Sequence, residues 1–145
     1  MKPPSKKTRL KLKLDNNDED QFLGLVSAEA DYKVSLLINQ GLGLNLKSTS
    51  PVVKTVNKNE ISFSRFTSDS KYSEIVYELI SNDAGKEKLL SRIPSIDYIL
   101  RIKGVSNKET IEDIIRKIRN IGEITGVFTL DKNSRMENNF LKIIP

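Results

Sequence analysis

The chain contains no cysteine and no histidine. Without cysteine there are no disulfides, thiolate metal sites, iron–sulfur clusters or thiol nucleophiles. Without histidine the usual general base near neutral pH, the imidazole metal ligand and the common triads go too. No run approaches the ~20 apolar residues of a membrane span. No apolar run follows the basic start, as a signal peptide would require. The expectation is a soluble cytoplasmic protein with no membrane contact, no cofactor and no metal.

What is present is 145 residues, 37% of them hydrophobic and 30% charged. A chain of this size can bury roughly 68–70% of its unfolded surface, enough for a single core. Residues 1–7, with Pro3 and Pro4, have little to bury and are expected to form a disordered basic arm. Residues 8–145 are expected to form one α+β domain.

The net charge of +5 is unevenly spread. Residues 1–13 hold Lys2, Lys6, Lys7, Arg9, Lys11 and Lys13 with no acid, giving +6, whereas residues 14–145 carry 18 bases against 19 acids. An acidic cluster of Asp15, Asp18, Glu19 and Asp20 follows at once. Two readings of the arm stand side by side. Lys6, Lys7, Arg9, Lys11 and Lys13 can contact phosphates of RNA by releasing counterions. They can equally be a solubilising terminus running into an edge strand whose lysines discourage aggregation.

Periodicity supplies the elements. Leu10, Leu12 and Leu14 alternate with Arg9, Lys11 and Lys13, which predicts a half-buried strand over 8–14. Phe22 to Ser27 predicts a second strand, paired with the first as a hairpin. Asp31 is expected to cap a helix whose apolar face carries Val34, Leu37, Ile38 and Leu42, with Gly41 and Gly43 at its end. The Ser-, Thr- and Asn-rich stretch 46–59 reads as a connection with a weak strand at 52–56. Strands are expected at 60–67, 74–81 and 96–103, the last with Ile96, Tyr98, Leu100 and Ile102 on one face.

Ser106 and Glu109 have the spacing of a capping box. Ile111, Ile114, Ile115, Ile118 and Ile121 then make one apolar stripe, with Gly122 closing the helix. Glu112 is set to pair with Arg116 and Asp113 with Lys117. A short strand at 127–130 and an apolar tail at 140–144, docked on the body, complete the chain. The order predicts a two-layer α+β sandwich: a mostly antiparallel sheet with both helices on one face, of ferredoxin-like character.

Candidate sites are few. The glycines of Gly41-Leu42-Gly43 close a helix, whereas phosphate-binding glycines follow a strand and open one. Asp15, Asn17 and Glu19 imitate the start of a calcium loop, but no glycine follows at the sharp turn. Asp97 and Tyr98 stand together at the head of a central strand. Asp97 could orient the tyrosine hydroxyl or accept from a ligand. It could instead cap the 92–95 turn while Tyr98 fills the core. No grouping of lysine, tyrosine or carboxylate suggests catalysis, so no catalytic residue is assigned.

At Arg92-Ile93-Pro94-Ser95-Ile96-Asp97-Tyr98-Ile99-Leu100 the chain resembles a family of small bacterial proteins. That family is named for its I-P-E-x-x-x-V-D-Y signature and has no established function. Ile96, Asp97 and Tyr98 match its second half, with isoleucine for valine, while Leu90, Ser91 and Arg92 occupy the I-P-E positions. The opening Lys7-Thr8-Arg9-Leu10-Lys11-Leu12 and Asp31-Tyr32 entering a helix that ends near Ile38-Asn39-Gln40 extend the likeness over nearly the whole chain. The resemblance implies a cytoplasmic location and a single α+β domain.

Two functions follow. One is a non-enzymatic module that docks on a cytoplasmic protein through a sheet edge or helix face. The other is an RNA-associated accessory protein, using the arm together with Phe63, Phe66 and Tyr77 as stacking surfaces.

Overall fold

The computed structural model describes residues 20–68, 74–105 and 107–130. The expected strand at 8–14, the arm cations, Asp15, Asp18 and Glu19, Ser106 and the tail at 140–144 lie outside these. The described elements run β1 (Gln21–Val26), α1 (Asp31–Leu42), β2 (Lys47–Val56), β3 (Asn59–Thr67), β4 (Val76–Ser81), β5 (Asp83–Ala84), β6 (Glu87–Lys88), β7 (Tyr98–Lys103), α2 (Lys108–Arg119) and β8 (Gly126–Thr129). This is an α+β fold. Its main sheet has six strands in the order β2-β3-β4-β7-β1-β8, every neighbouring pair antiparallel. A four-stranded ferredoxin-like sheet has a different composition, so the expected likeness does not hold for this sheet as a whole.

β1 is bonded to β7 over Gln21–Leu25 and to β8 over Leu23–Val26. The strand expected to pair with it as a hairpin, at 8–14, lies outside the described residues.

Both faces of the sheet are covered. On one, Val34 and Ile38 of α1 and Ile114 and Ile118 of α2 pack on Leu23, Leu25, Leu79, Leu100 and Ile102. The other face carries Phe22, Phe63, Ile80 and Ile99, and Leu89, Leu90 and Ile93 of the β4–β7 connection close over it. A bare outer face, as a two-layer sandwich expects, is therefore absent where that connection lies. Burial on both sides also explains why β4 and β7 read as nearly unbroken apolar runs. Phe66 falls on the helix side, out of phase with Phe63 as its position in β3 requires.

Local chemistry corrects several termini. The N-cap of α1 is Ala30, and Asp31 lies in the first turn, where its carboxylate accepts the Tyr32 N–H at 2.7 Å. Gly43 is the left-handed C-cap, at φ +69°, and Gly41 lies inside the helix against Ile121. For α2 the cap is Asn107, whose side chain accepts the Glu109 N–H at 2.7 Å. That helix ends at Asn120, two residues before Gly122. Asp113 takes both neighbouring bases, Arg116 at three residues and Lys117 at four, so Arg116 pairs there and not with Glu112. These bonds, Lys117 first and then Arg116, hold the Asp113 carboxyl below its usual range.

The stretch read as a connection is a ten-residue strand, β2. It turns into β3 at Asn57 and Lys58, both with positive φ, the backbone of a two-residue hairpin loop. A register shift between Thr49 and Val52 accommodates Pro51.

Candidate functional site

Asp97 and Tyr98 come together at the C-terminal end of β1. Asp97 precedes β7 and extends its ladder, donating its N–H to Leu25 O at 2.9 Å. Its carboxylate accepts the Ser27 N–H at 3.0 Å. Ser27 is itself buried, and its hydroxyl donates to Glu123 O at 2.8 Å and accepts the Glu29 N–H at 3.2 Å. Tyr98 sends its ring into the helix-side core, 6% exposed, and its hydroxyl donates to Glu29 O just before α1. Asp97 therefore caps the end of β1 and not the 92–95 turn, while Tyr98 fills the core as the structural reading required.

Ile96 departs from the face expected of it. β7 begins only at Tyr98, and Ile96 lies on the second face with Phe22, Phe63 and Ile99. There its side chain occupies the space over Gly24: a Cβ on Gly24 would stand 2.7 Å from Ile96 Cδ1. Asp97 and Tyr98 thus bond the β1–α1 connection at Ser27 and Glu29, while Ile96 packs over β1 itself.

Asn82, just after β4, completes this arrangement. Asn82 is fully buried, its side-chain amide donating to Ile96 O at 2.8 Å and accepting from the Leu90 N–H at 2.6 Å. Its backbone bonds Asp97 O and the Leu89 N–H, both at 2.9 Å. One asparagine ties both ends of the β4–β7 connection together. The only sequence signal was the run Asn82-Asp83-Ala84-Gly85, which marks a turn without marking its burial.

Beside this cluster, on the helix side, an open cleft of about 500 Å³ lies between the start of α1 and the strands beyond the helices. Ser62, Ser64 and Ser81 line it together with Glu29, Asp31, Asp83 and Asp97, and among the described residues no lysine or arginine lines it. Tyr98 also lines it, and the hydroxyl pKa is pushed up to about 12. Burial is the largest cause, followed by the charges of Asp31, Asp97, Asp83 and Glu29.

On the opposite face a second charged group is buried. Glu78, 3% exposed, pairs with Arg65 at 2.9 Å and Arg101 at 3.3 Å, and Arg101 reaches Asp20 at 2.9 Å. This network joins β3, β4, β7 and the entry to β1.

The aromatic residues considered for stacking are not available for it. Phe63 is fully buried, Tyr77 is 7% exposed, and Phe66 packs against the helix-side core. Among the described residues the exposed aromatics are instead Tyr32 at 63% and Phe128 at 53%. Among the described residues no group of three or more carboxylates is close enough to hold a metal ion. No described helix is long and apolar enough to cross a membrane. No protein-family model matches the chain, and no curated protein does.

Proposed function

We propose that this protein is a non-enzymatic binding module, an adaptor that docks on a partner protein in the bacterial cytoplasm. The observation that carries this reading is an apolar pair on α1. Tyr32 and Leu36, four residues apart, are 63% and 52% exposed on one side of the helix. Large apolar side chains grouped on one helix face are what a partner's groove takes up. The polar bonds of Asp97, Ser27 and Asn82 support the reading from the other direction, since they are satisfied within the fold and serve its shape.

The same proposal extends to kinship and topology. The likeness to the family of the I-P-E-x-x-x-V-D-Y signature rests on Ile96, Asp97 and Tyr98, of which Asp97 and Tyr98 bond the β1–α1 connection and Ile96 packs over β1. With the β2–β3 ribbon and the separate two-residue strands β5 and β6 set aside, the remaining elements follow β-α-β-β-α-β, with strands ordered β4-β7-β1-β8. We read the fold as a ferredoxin-like unit into which that ribbon has been inserted.

The test uses the full chain as bait in bacterial cytosol, beside a Tyr32→Ser/Leu36→Ser variant. A stoichiometric partner retained by the wild type and lost by the variant is the expected result. Recovery of no stoichiometric partner, or equal recovery by both, counts against the reading.

A further inference from the structure

Among the described residues the cleft beside α1 is lined by four carboxylates, Glu29, Asp31, Asp83 and Asp97, and by four serines, Ser27, Ser62, Ser64 and Ser81. Glu29, Asp31 and Asp97 have no basic partner among the described residues, and Asp83 has only Lys88, at 3.7 Å. The floor supplies a further observation, independent of charge. Ser62 and Ser64 share the helix-side face of β3, and the Ser64 hydroxyl oxygen is buried with no hydrogen-bond partner. A buried hydroxyl left unbonded costs stability and so marks a place where a partner group is missing. A hydroxyl can bond a donor or an acceptor, and it is the four carboxylates around the cleft that select a positively charged group with several N–H bonds. A metal ion does not fit, because among the described residues no three carboxylates are close enough to hold one. A guanidinium, with five donors in a planar fork, or an alkyl-ammonium with three, does fit.

We propose that this cleft binds the arginine or lysine side chains of a basic segment of a partner protein. The inference rests on the binding-module reading and names the chemistry of its partner. Tyr32 and Leu36 follow Asp31 along α1, so a segment seated by its cations can lay an apolar residue on them. The cleft volume of about 500 Å³ lies within the usual range for ligand sites.

The experiment titrates an acetylated, amidated peptide of alternating arginine and serine into isotope-labelled full-length protein, followed by amide shifts. A peptide with glutamate for arginine is the control. The expected result is saturable shifts at Ser62, Ser64, Asp83 and Ala84, absent with the control. Binding should weaken as ionic strength rises from about 0.05 to about 0.2 M, over which the Debye length shortens. Asp31→Asn/Asp83→Asn, which keeps the side-chain shapes, should weaken binding by at least about ten-fold. Ser64→Ala should weaken it without disturbing the rest of the spectrum.

No saturable shift with the arginine peptide, or undiminished binding by both variants, overturns the proposal. If the peptide binds more tightly after Lys6→Glu/Lys7→Glu, the chain's own cations compete for the cleft, and the partner assignment falls. A silent cleft in a protein that still captures a partner through Tyr32 and Leu36 removes this inference and leaves the binding-module reading standing. Failure of both removes both.

Discussion

The Asp97 carboxylate accepts the Ser27 amide at 3.0 Å across 70 positions of chain. That bond stops β1 where the chain must turn toward α1, and it places a charged acceptor on a backbone donor that has no strand partner there. Charge-assisted bonds of this kind are stronger than neutral ones. Asp97→Ala should therefore destabilise the fold by about 1–3 kcal/mol, the cost of leaving a part-buried donor unpaired. Asp97→Asn, which keeps one acceptor oxygen, should lose less. Urea unfolding of the two variants checks the order, and an unchanged midpoint for Asp97→Ala would show that water replaces the carboxylate freely.

Gly24 and Ile96 form a second coupled pair. A methyl group on Gly24 would meet three Ile96 atoms, Cδ1 at 2.7 Å, Cγ1 at 3.1 Å and Cγ2 at 3.2 Å. Overpacking typically costs about 1–3 kcal/mol, while replacing glycine in a strand returns about 0.4–1 kcal/mol by stiffening the unfolded chain. Gly24→Ala should thus lower stability by roughly 1–2 kcal/mol in balance. Shortening the neighbour should relieve it, so Gly24→Ala combined with Ile96→Val should cost less than the two separate effects added. Strict additivity in thermal unfolding would mean the two side chains do not share that space.

Much of this core was legible from the chain because one face of each element was apolar at the right period. The isoleucine stripe of α2 is the clearest case, with Ile114 and Ile118 buried and Ile111, Ile115 and Ile121 flanking them. β2 was legible only in part because, as the end strand of the sheet, it fully buries a single residue, Val52, and an edge strand needs no alternation. Ile96 was misplaced because strand alternation was extended two residues past the start of β7, into chain already shaped by Asn82. The cleft had no sequence signature at all. Glu29, Asp31, Asp83 and Asp97 are scattered along the chain and meet only through the pairing of β4, β7 and β1.

Tyr98 makes the fold sensitive to alkali. Its folded pKa, pushed up to about 12 chiefly by burial and then by the four carboxylates, exceeds the unfolded value near 10. The folded state therefore holds the proton more tightly. This contribution is complete below the unfolded pKa and is lost as pH rises between about 10 and about 12. Unfolding free energy should fall steeply through that window in the wild type and less steeply in Tyr98→Phe. Burial, and after it the charge of Asp113, also raises the Tyr77 hydroxyl, so ultraviolet titration of phenolate should show both tyrosines ionising late, with the Tyr98 part absent from the variant. A Tyr98 that ionises with the exposed Tyr32 would mean its bond to Glu29 O does not persist in solution.

Glu78 is the group whose removal should cost most. It stands opposite Arg101 in the β4–β7 ladder and is bonded by Arg65 and Arg101, with Lys103 at 3.8 Å. Arg101 also lies over the Phe22 ring, 5.8 Å from its centroid, so its plane is fixed by packing as well as charge. Exposed ion pairs are usually worth ~0–1 kcal/mol, but these side chains are nearly enclosed, and breaking a buried pair on one side typically costs about 3–5 kcal/mol. Glu78→Leu leaves Arg65 without its carboxylate, whereas Arg101 keeps Asp20. The loss should therefore fall mainly on Arg65. Adding Arg65→Leu should then recover part of the stability, because a buried pair exchanged whole for apolar groups is often close to neutral. The measurement is urea unfolding of the single and double variants at low and high salt. Recovery in the double variant, little changed by salt, is the expected outcome. A single variant as stable as the wild type would mean that water reaches this network and screens it like any surface pair.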